Sequence, residues 1–248
     1  MLLVPIPAAL ADGGARLVFS PQRVVMEEGT RTARLSLRNG GNRPATFRVS
    51  LSDVLYQHDG SVTHTSTTPP GFPSAKPYVR FSPSQVRLNP GESQVVRVLL
   101  AGKPPGQNTE YRVHAVMQQL PESTAPNKSS NGVVTGGVSF RQASAIPVII
   151  RIGKPTAQAG IASAQRSARG VDLVLTRSGS RSLYTQLEVY AGRVAPANRI
   201  GLLKGFGTPV PNRQRAVSIP IKKPSNQPYI VVVKDQSSGE VLLQRNIN

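Results

Sequence analysis

Few residues in this sequence have the type and spacing that chemistry requires. His58 and His64 flank Asp59, so one loop could offer a metal ion two imidazoles and a carboxylate, but no further ligand follows at a workable spacing. The third histidine, His114, stands alone in an apolar stretch. Cysteine is absent, which removes thiolate zinc sites, iron–sulfur clusters, cysteine nucleophiles and disulfide scaffolds together. A serine hydrolase of the nucleophile-elbow type needs Gly-x-Ser-x-Gly, which the chain lacks. Gly205-Phe206-Gly207 lacks both the third glycine of a dinucleotide fingerprint and the βαβ unit around it. Glu27 and Glu28 are adjacent, so they point to opposite faces of a strand or lie in a turn, and do not readily share a substrate as a glycosidase pair does. The expectation is a protein that is not an enzyme, with no catalytic residues, no metal and no cofactor.

The charge asks for a partner rather than a reaction. Among 248 residues, 30 Lys and Arg face 12 Asp and Glu, a net charge of +18. Residues 1–153 hold 16 basic and 8 acidic side chains and residues 154–248 hold 14 and 4, so the excess is spread along the chain without a basic tail. Aromatic residues do not interleave with the arginines as a base-stacking platform requires, so no nucleic acid is expected as a partner.

The N-terminal MLLVPIPAALA is apolar and places Ala9 and Ala11 at the small positions of a signal-peptidase site. Residues 1–11 read as a secretory signal whose start lies further upstream, hence an exported protein. No later stretch reaches the ~18 continuous apolar residues of a membrane span, so no membrane insertion is expected.

These residues must be carried by strands. Ala33-Leu35-Leu37 alternates with Arg34-Ser36-Arg38, Phe47-Val49-Leu51 with Arg48-Ser50-Ser52, and Val113-Ala115-Met117 with Arg112-His114-Val116. That period of two gives one buried and one wet face, and it places Arg34, Arg38, Arg48 and Arg112 on the wet side. Asn39-Gly40-Gly41-Asn42, Asp59-Gly60, Asn89-Pro90-Gly91 and Ser178-Gly179 supply closely spaced turns. No amphipathic helix of ordinary length is visible, so the class is all-β. Two long polar stretches, His58–Lys76 and Pro121–Gly137, read as loops. The pattern breaks at Gly153-Lys154-Pro155 and resumes over Val171–Leu175, Leu183–Tyr190, Ala216–Ile221, Tyr229–Val233 and Val241–Gln244. The expected organisation is two tandem β-sandwich domains, residues 12–153 and 154–248.

Several blocks resemble one family in its own order. VFSPQRVVMEEG (Val18–Gly29) with RLSLRN (Arg34–Asn39) is similar to the opening strands of periplasmic pilus-assembly chaperones, the family of the P-pilus chaperone. YVRFSPSQVRLNPGESQVVRVL (Tyr78–Leu99), EYRVHAVMQQLP (Glu110–Pro121) and IPVIIRIGKP (Ile146–Pro155) resemble its Pro-Gly block, the strand before its long loop, and the strand leading into its second domain. SGSRSLYTQLEVY (Ser178–Tyr190) is a looser match.

The resemblance implies two immunoglobulin-like sandwiches set as a boomerang, a periplasmic location, and pilus or fimbrial subunits and an outer-membrane usher as partners. It also implies donor-strand complementation, in which the chaperone lends a strand to an incomplete subunit. The lent strand falls on Val138–Ile150, where Val138, Phe140, Ile146, Val148 and Ile150 share one parity; these side chains fill the subunit's groove or belong to the chain's own core. The family grips the subunit's C-terminal carboxylate with two cations. Arg23 matches the first. The second is a lysine four residues before a closing arginine; with Arg151 as that arginine, the lysine's place is taken by Pro147, leaving Arg151 as the nearest cation. Without the resemblance, the same features describe a two-domain immunoglobulin-like extracellular binding module or adhesin.

Overall fold

Strands form where apolar and polar residues alternate, and the apolar parity turns inward. The computed structural model describes residues 14–59, 61–65, 67–121 and 143–247. The first sandwich packs two sheets. One runs β1 (Leu17–Ser20), β3 (Thr32–Asn39), β8 (Ser93–Leu100), β6 (Val79–Ser82). The other runs β2 (Val24–Met26), β10 (Ala143–Ile152), β9 (Thr109–Gln119), β4 (Ala45–Tyr56), β5 (Val62–Thr65), with β7 (Gln85–Leu88) also paired to β4. Leu35, Leu37, Phe47, Val96, Val98, Val113 and Met117 meet between them, all inaccessible to solvent. Burying each such side chain is worth roughly 1.5–3 kcal/mol.

The second sandwich joins β11 (Ala157–Ser167), β12 (Gly170–Gly179) and β15 (Gln214–Pro220) to a sheet ordered β14 (Arg199–Thr208), β13 (Leu183–Ala191), β16 (Tyr229–Asp235), β17 (Val241–Ile247). Val171, Leu173, Leu175, Leu187, Val189, Val231 and Val233 form its separate core.

The Asn39–Asn42 turn has a specific anchor. Asn39 is fully buried; its amide donates to the Arg43 and Leu88 carbonyls (2.6 and 3.1 Å) and its side-chain oxygen accepts from the backbone N–H of Arg16 and Gly41. Gly41 is required there, since a Cβ would lie 2.2 Å from the Gly14 carbonyl oxygen.

Three expectations are corrected. The stretch His58–Lys76 is not wholly loop: β5 pairs with β4, and the buried Asp53 accepts hydrogen bonds from Thr68 (2.6 Å) and Ser74 (2.7 Å), tying the rest of the stretch down. β11 and β14 lack the alternation that would reveal them. β11 is rich in Ala and Gly at a sheet edge, and β14 changes register beside Gly205, whose φ of +77° breaks the period. Arg112 lies on the polar parity of β9, as its alternation requires, yet that face is not wet, because the second sandwich covers it and leaves Arg112 1% exposed.

Candidate functional site

The edge of β10 is only half covered. Its whole length, Ala143–Ile152, pairs antiparallel with β9, but β2 runs parallel along Val148–Ile150 alone. Among the described residues, Ala143–Pro147 therefore has no strand on its other side. β2 is short because the chain leaves β1 in one sheet and crosses to the other around Pro21. Pro147 suits the open side, because a proline without an N–H belongs where no ladder hydrogen bond is needed.

The inward parity of this strand belongs to the chain's own core. Ile146, Val148 and Ile150 are at most 1% exposed and pack among the core residues of the first sandwich, opposite Ala115, Val113 and Tyr111. Of the two places open to these three side chains, a subunit's groove or the chain's own core, the structure has them in the core. Ala143 and Ala145 are exposed instead. Val138 and Phe140 lie outside the described residues, as do the signal-like residues 1–11 and all but Pro121 of Pro121–Gly137.

The two cations are placed differently. Val24 pairs with Val148, so Arg23 stands one step back along the ladder, beside Pro147. Arg151 lies four residues further along, about 13 Å away at strand rise. It is already engaged: its guanidinium meets Glu110 at 3.0 Å and Glu27 at 2.9 Å. Burial opposes its charge, but the two carboxylates outweigh burial and raise its pKa. The second Glu110 oxygen accepts the backbone N–H of Ser182 from the second sandwich at 3.1 Å. Arg151 thus holds the Glu110 that ties the sandwiches together, and it stands apart from Arg23.

Arg23 reaches the second sandwich. Its guanidinium carbon sits 3.3 Å above the Tyr184 ring centroid, and its Nε is buried without a hydrogen-bond partner. Burial pushes the Tyr184 hydroxyl up to about 12. Around this stack the polar faces of β4 and β9 meet the β14–β15 connection. Arg112 donates to the Val54 carbonyl at 2.7 Å and to the Val210 carbonyl across the junction. Tyr56 bonds His114 at 3.2 Å, and its own carbonyl accepts from Asn212 of the second sandwich at 2.6 Å. Burial, with the Arg112 charge beside it, lowers the His114 pKa to about 3. The His58 carbonyl accepts the Ala216 N–H at 3.0 Å, so the β4–β5 hairpin straps the sandwiches together. Groups of three or more His, Asp or Glu able to hold a metal are absent among the described residues.

Sequence reasoning missed Tyr56, Glu110, Arg112, His114 and Tyr184 as one cluster. Glu110-x-Arg112-x-His114 lies on one parity of a strand whose other parity is core, a pattern that reads equally as a solvated face.

The architecture has solved counterparts. A chain from the CsuC–CsuE chaperone–tip adhesion subunit pre-assembly complex of the archaic chaperone-usher Csu pili of Acinetobacter baumannii is 15% identical, with a TM-score of 0.50 over 94% of this chain and 98% of that one. The E. coli chaperone DraB is 14% identical, with a TM-score of 0.52 over 94% and 96%. A chain from the Salmonella enterica SafA pilin–SafB chaperone complex is 16% identical, with a TM-score of 0.51 over 93% and 95%. At these identities the likeness speaks for the fold alone. No curated protein matches in sequence. The family model for the N-terminal PapD domain of pili and flagellar-assembly chaperones matches residues 16–151, the whole first sandwich, and the chain belongs to that family.

Proposed function

We propose that this chaperone works in the periplasm, holds pilus or fimbrial subunits by lending them the open edge of β10, and passes them to an outer-membrane usher. The observation that carries the reading is the Ala143–Pro147 edge, unpaired on one side and braced by β9 on the other. A subunit lacking a strand exposes both backbone groups and an apolar groove, an aggregation hazard. An added strand satisfies the first by main-chain hydrogen bonds and the second by alternate side chains. Ile146, Val148 and Ile150 are committed to the chain's own core, so the groove-filling role falls to the sequence before Ala143, where Val138 and Phe140 alternate. The chaperone–subunit complexes among the similar structures support a subunit as the partner.

Arg23 is the anchor this reading assigns to the subunit's C-terminal carboxylate. It stands beside Pro147 at the open edge, where a charge-assisted bidentate contact would set the register of the added strand. Co-expression in a periplasm with a subunit encoded beside the gene tests both parts. A one-to-one complex is expected from the wild type, and at least a tenfold lower yield from Arg23→Ala. Absence of any complex while the protein stays folded would overturn the reading, and an undiminished Arg23→Ala complex would remove the anchor.

A further inference from the structure

We propose that Tyr184, in the second sandwich, is a positioning residue that holds Arg23 ready for the subunit's carboxylate, and that Gly207 exists to let it do so. The inference rests on the reading of Arg23 as that anchor. Arg23 is half-buried, and no carboxylate pairs with it among the described residues; the flat contact at 3.3 Å on the Tyr184 ring is what orders it. The unpartnered Nε is bonded to nothing else that would fix the plane of the guanidinium. A long, flexible arginine must otherwise be ordered when its ligand arrives, which weakens binding.

The ring also runs close to β14. Tyr184 pairs with Gly207 across the β13–β14 ladder. A Cβ on Gly207 would lie 2.9 Å from Tyr184 Cε1 and 3.0 Å from Cδ1. A side chain at Gly207 would therefore press on the Cδ1–Cε1 edge of the ring that carries the guanidinium, and the bare backbone of β14 leaves the ring its place. Gly207 does not have a positive φ, so the backbone does not demand glycine there; the ring does. The motif Gly205-Phe206-Gly207 thus acquires a role unrelated to any nucleotide. With Pro147 in place of a second cation, one arginine must fix the carboxylate, and its orientation matters correspondingly more.

The test compares two synthetic peptides covering the C-terminal segment of the subunit encoded beside the gene, one with a free C-terminal acid and one amidated. Their affinities are measured by calorimetry for the wild-type chain and for Arg23→Ala, Tyr184→Leu, Tyr184→Phe and Gly207→Ala. The wild type should prefer the acid. Tyr184→Leu should weaken acid binding roughly tenfold, the scale of a desolvated cation–π contact, and leave amide binding unchanged. Gly207→Ala should weaken acid binding severalfold, and Tyr184→Phe should retain the preference. A merely structural role for Tyr184 would move both peptides together. A wild-type acid preference that survives intact in both Tyr184→Leu and Gly207→Ala overturns the inference and leaves Arg23 as anchor. No acid preference in the wild type removes the anchor and the inference with it.

Discussion

At the residue scale, the junction holds titratable groups at values that ordinary solution would not give them. His114 is buried on β9, bonded through one ring nitrogen to Tyr56, and its other ring nitrogen is unpartnered. Its folded pKa of about 3 lies below the usual 6.5, so the fold binds the neutral ring and the unfolded chain takes up the proton first. The resulting contribution to stability is complete above pH 6.5 and is lost as pH falls from 6.5 toward 3. Urea unfolding at pH 7.5 and pH 4.5 should show the wild type losing more stability than His114→Gln, since the variant lacks this proton uptake. Parallel losses in the two proteins would refute the account.

At the element scale, β10 builds the core of the first sandwich with one face and, among the described residues, leaves the Ala143–Pro147 stretch unpaired on one side. Ile146, Val148 and Ile150 complete the core of the first sandwich, so Ile146→Ala should cost about 3 kcal/mol in unfolding free energy, a cavity effect. The strand lending proposed above would fall to the backbone. Pro147 lacks an N–H and sits with its nitrogen side to the open edge, so Ala145, two residues earlier, presents its N–H to that same edge. Ala145→Pro should therefore leave the thermal midpoint within a few degrees of wild type and sharply reduce capture of a subunit in pull-down. If Ala145→Pro unfolds the protein, its N–H belongs to the β9 ladder instead and the assignment of the edge is wrong.

At the scale of the whole molecule, the contacts between the sandwiches are polar and drawn from many segments. Arg112 holds the Val54 and Val210 carbonyls, Glu110 links Arg151 to Ser182, and the β4–β5 hairpin reaches Asn212 and Ala216. The connection itself is pinned: the Gly153 N–H donates to Glu28 at 3.0 Å and the Lys154 N–H to Asn108 at 2.8 Å. Arg112→Ala leaves two buried carbonyls without their donor and should lower stability by about 3 kcal/mol. It should also loosen the junction, seen as a larger radius of gyration by small-angle scattering. Arg112→Met should recover part of the stability by filling the volume. An Arg112→Ala protein as stable and compact as the wild type would show that the junction is held elsewhere.

Much of the first sandwich was legible in the residues themselves. The alternation around Leu35, Phe47 and Val113 dictated its strands, and the Asn-Gly and Pro-Gly turns separated them, because period and turn chemistry are local properties of the chain. The resemblance of Val18–Gly29, Tyr78–Leu99 and Ile146–Pro155 to one family likewise lay in the residues, as did the absence of any thiol chemistry. Which face of a strand meets water is not local. Arg112 and Arg34 have the same polar parity, yet one is buried and the other exposed, because the second sandwich covers the sheet that holds β9 and, among the described residues, not the outer face of β3 in the opposite sheet. The same holds for Ile146, Val148 and Ile150, whose alternation fitted a lent strand and a private core equally well. Only the packing of that face against the opposing sheet puts them in the core. Arg23 and Tyr184 are 161 positions apart in the chain, and only tertiary structure makes them a stack, since no spacing in a sequence encodes a contact between two separate cores.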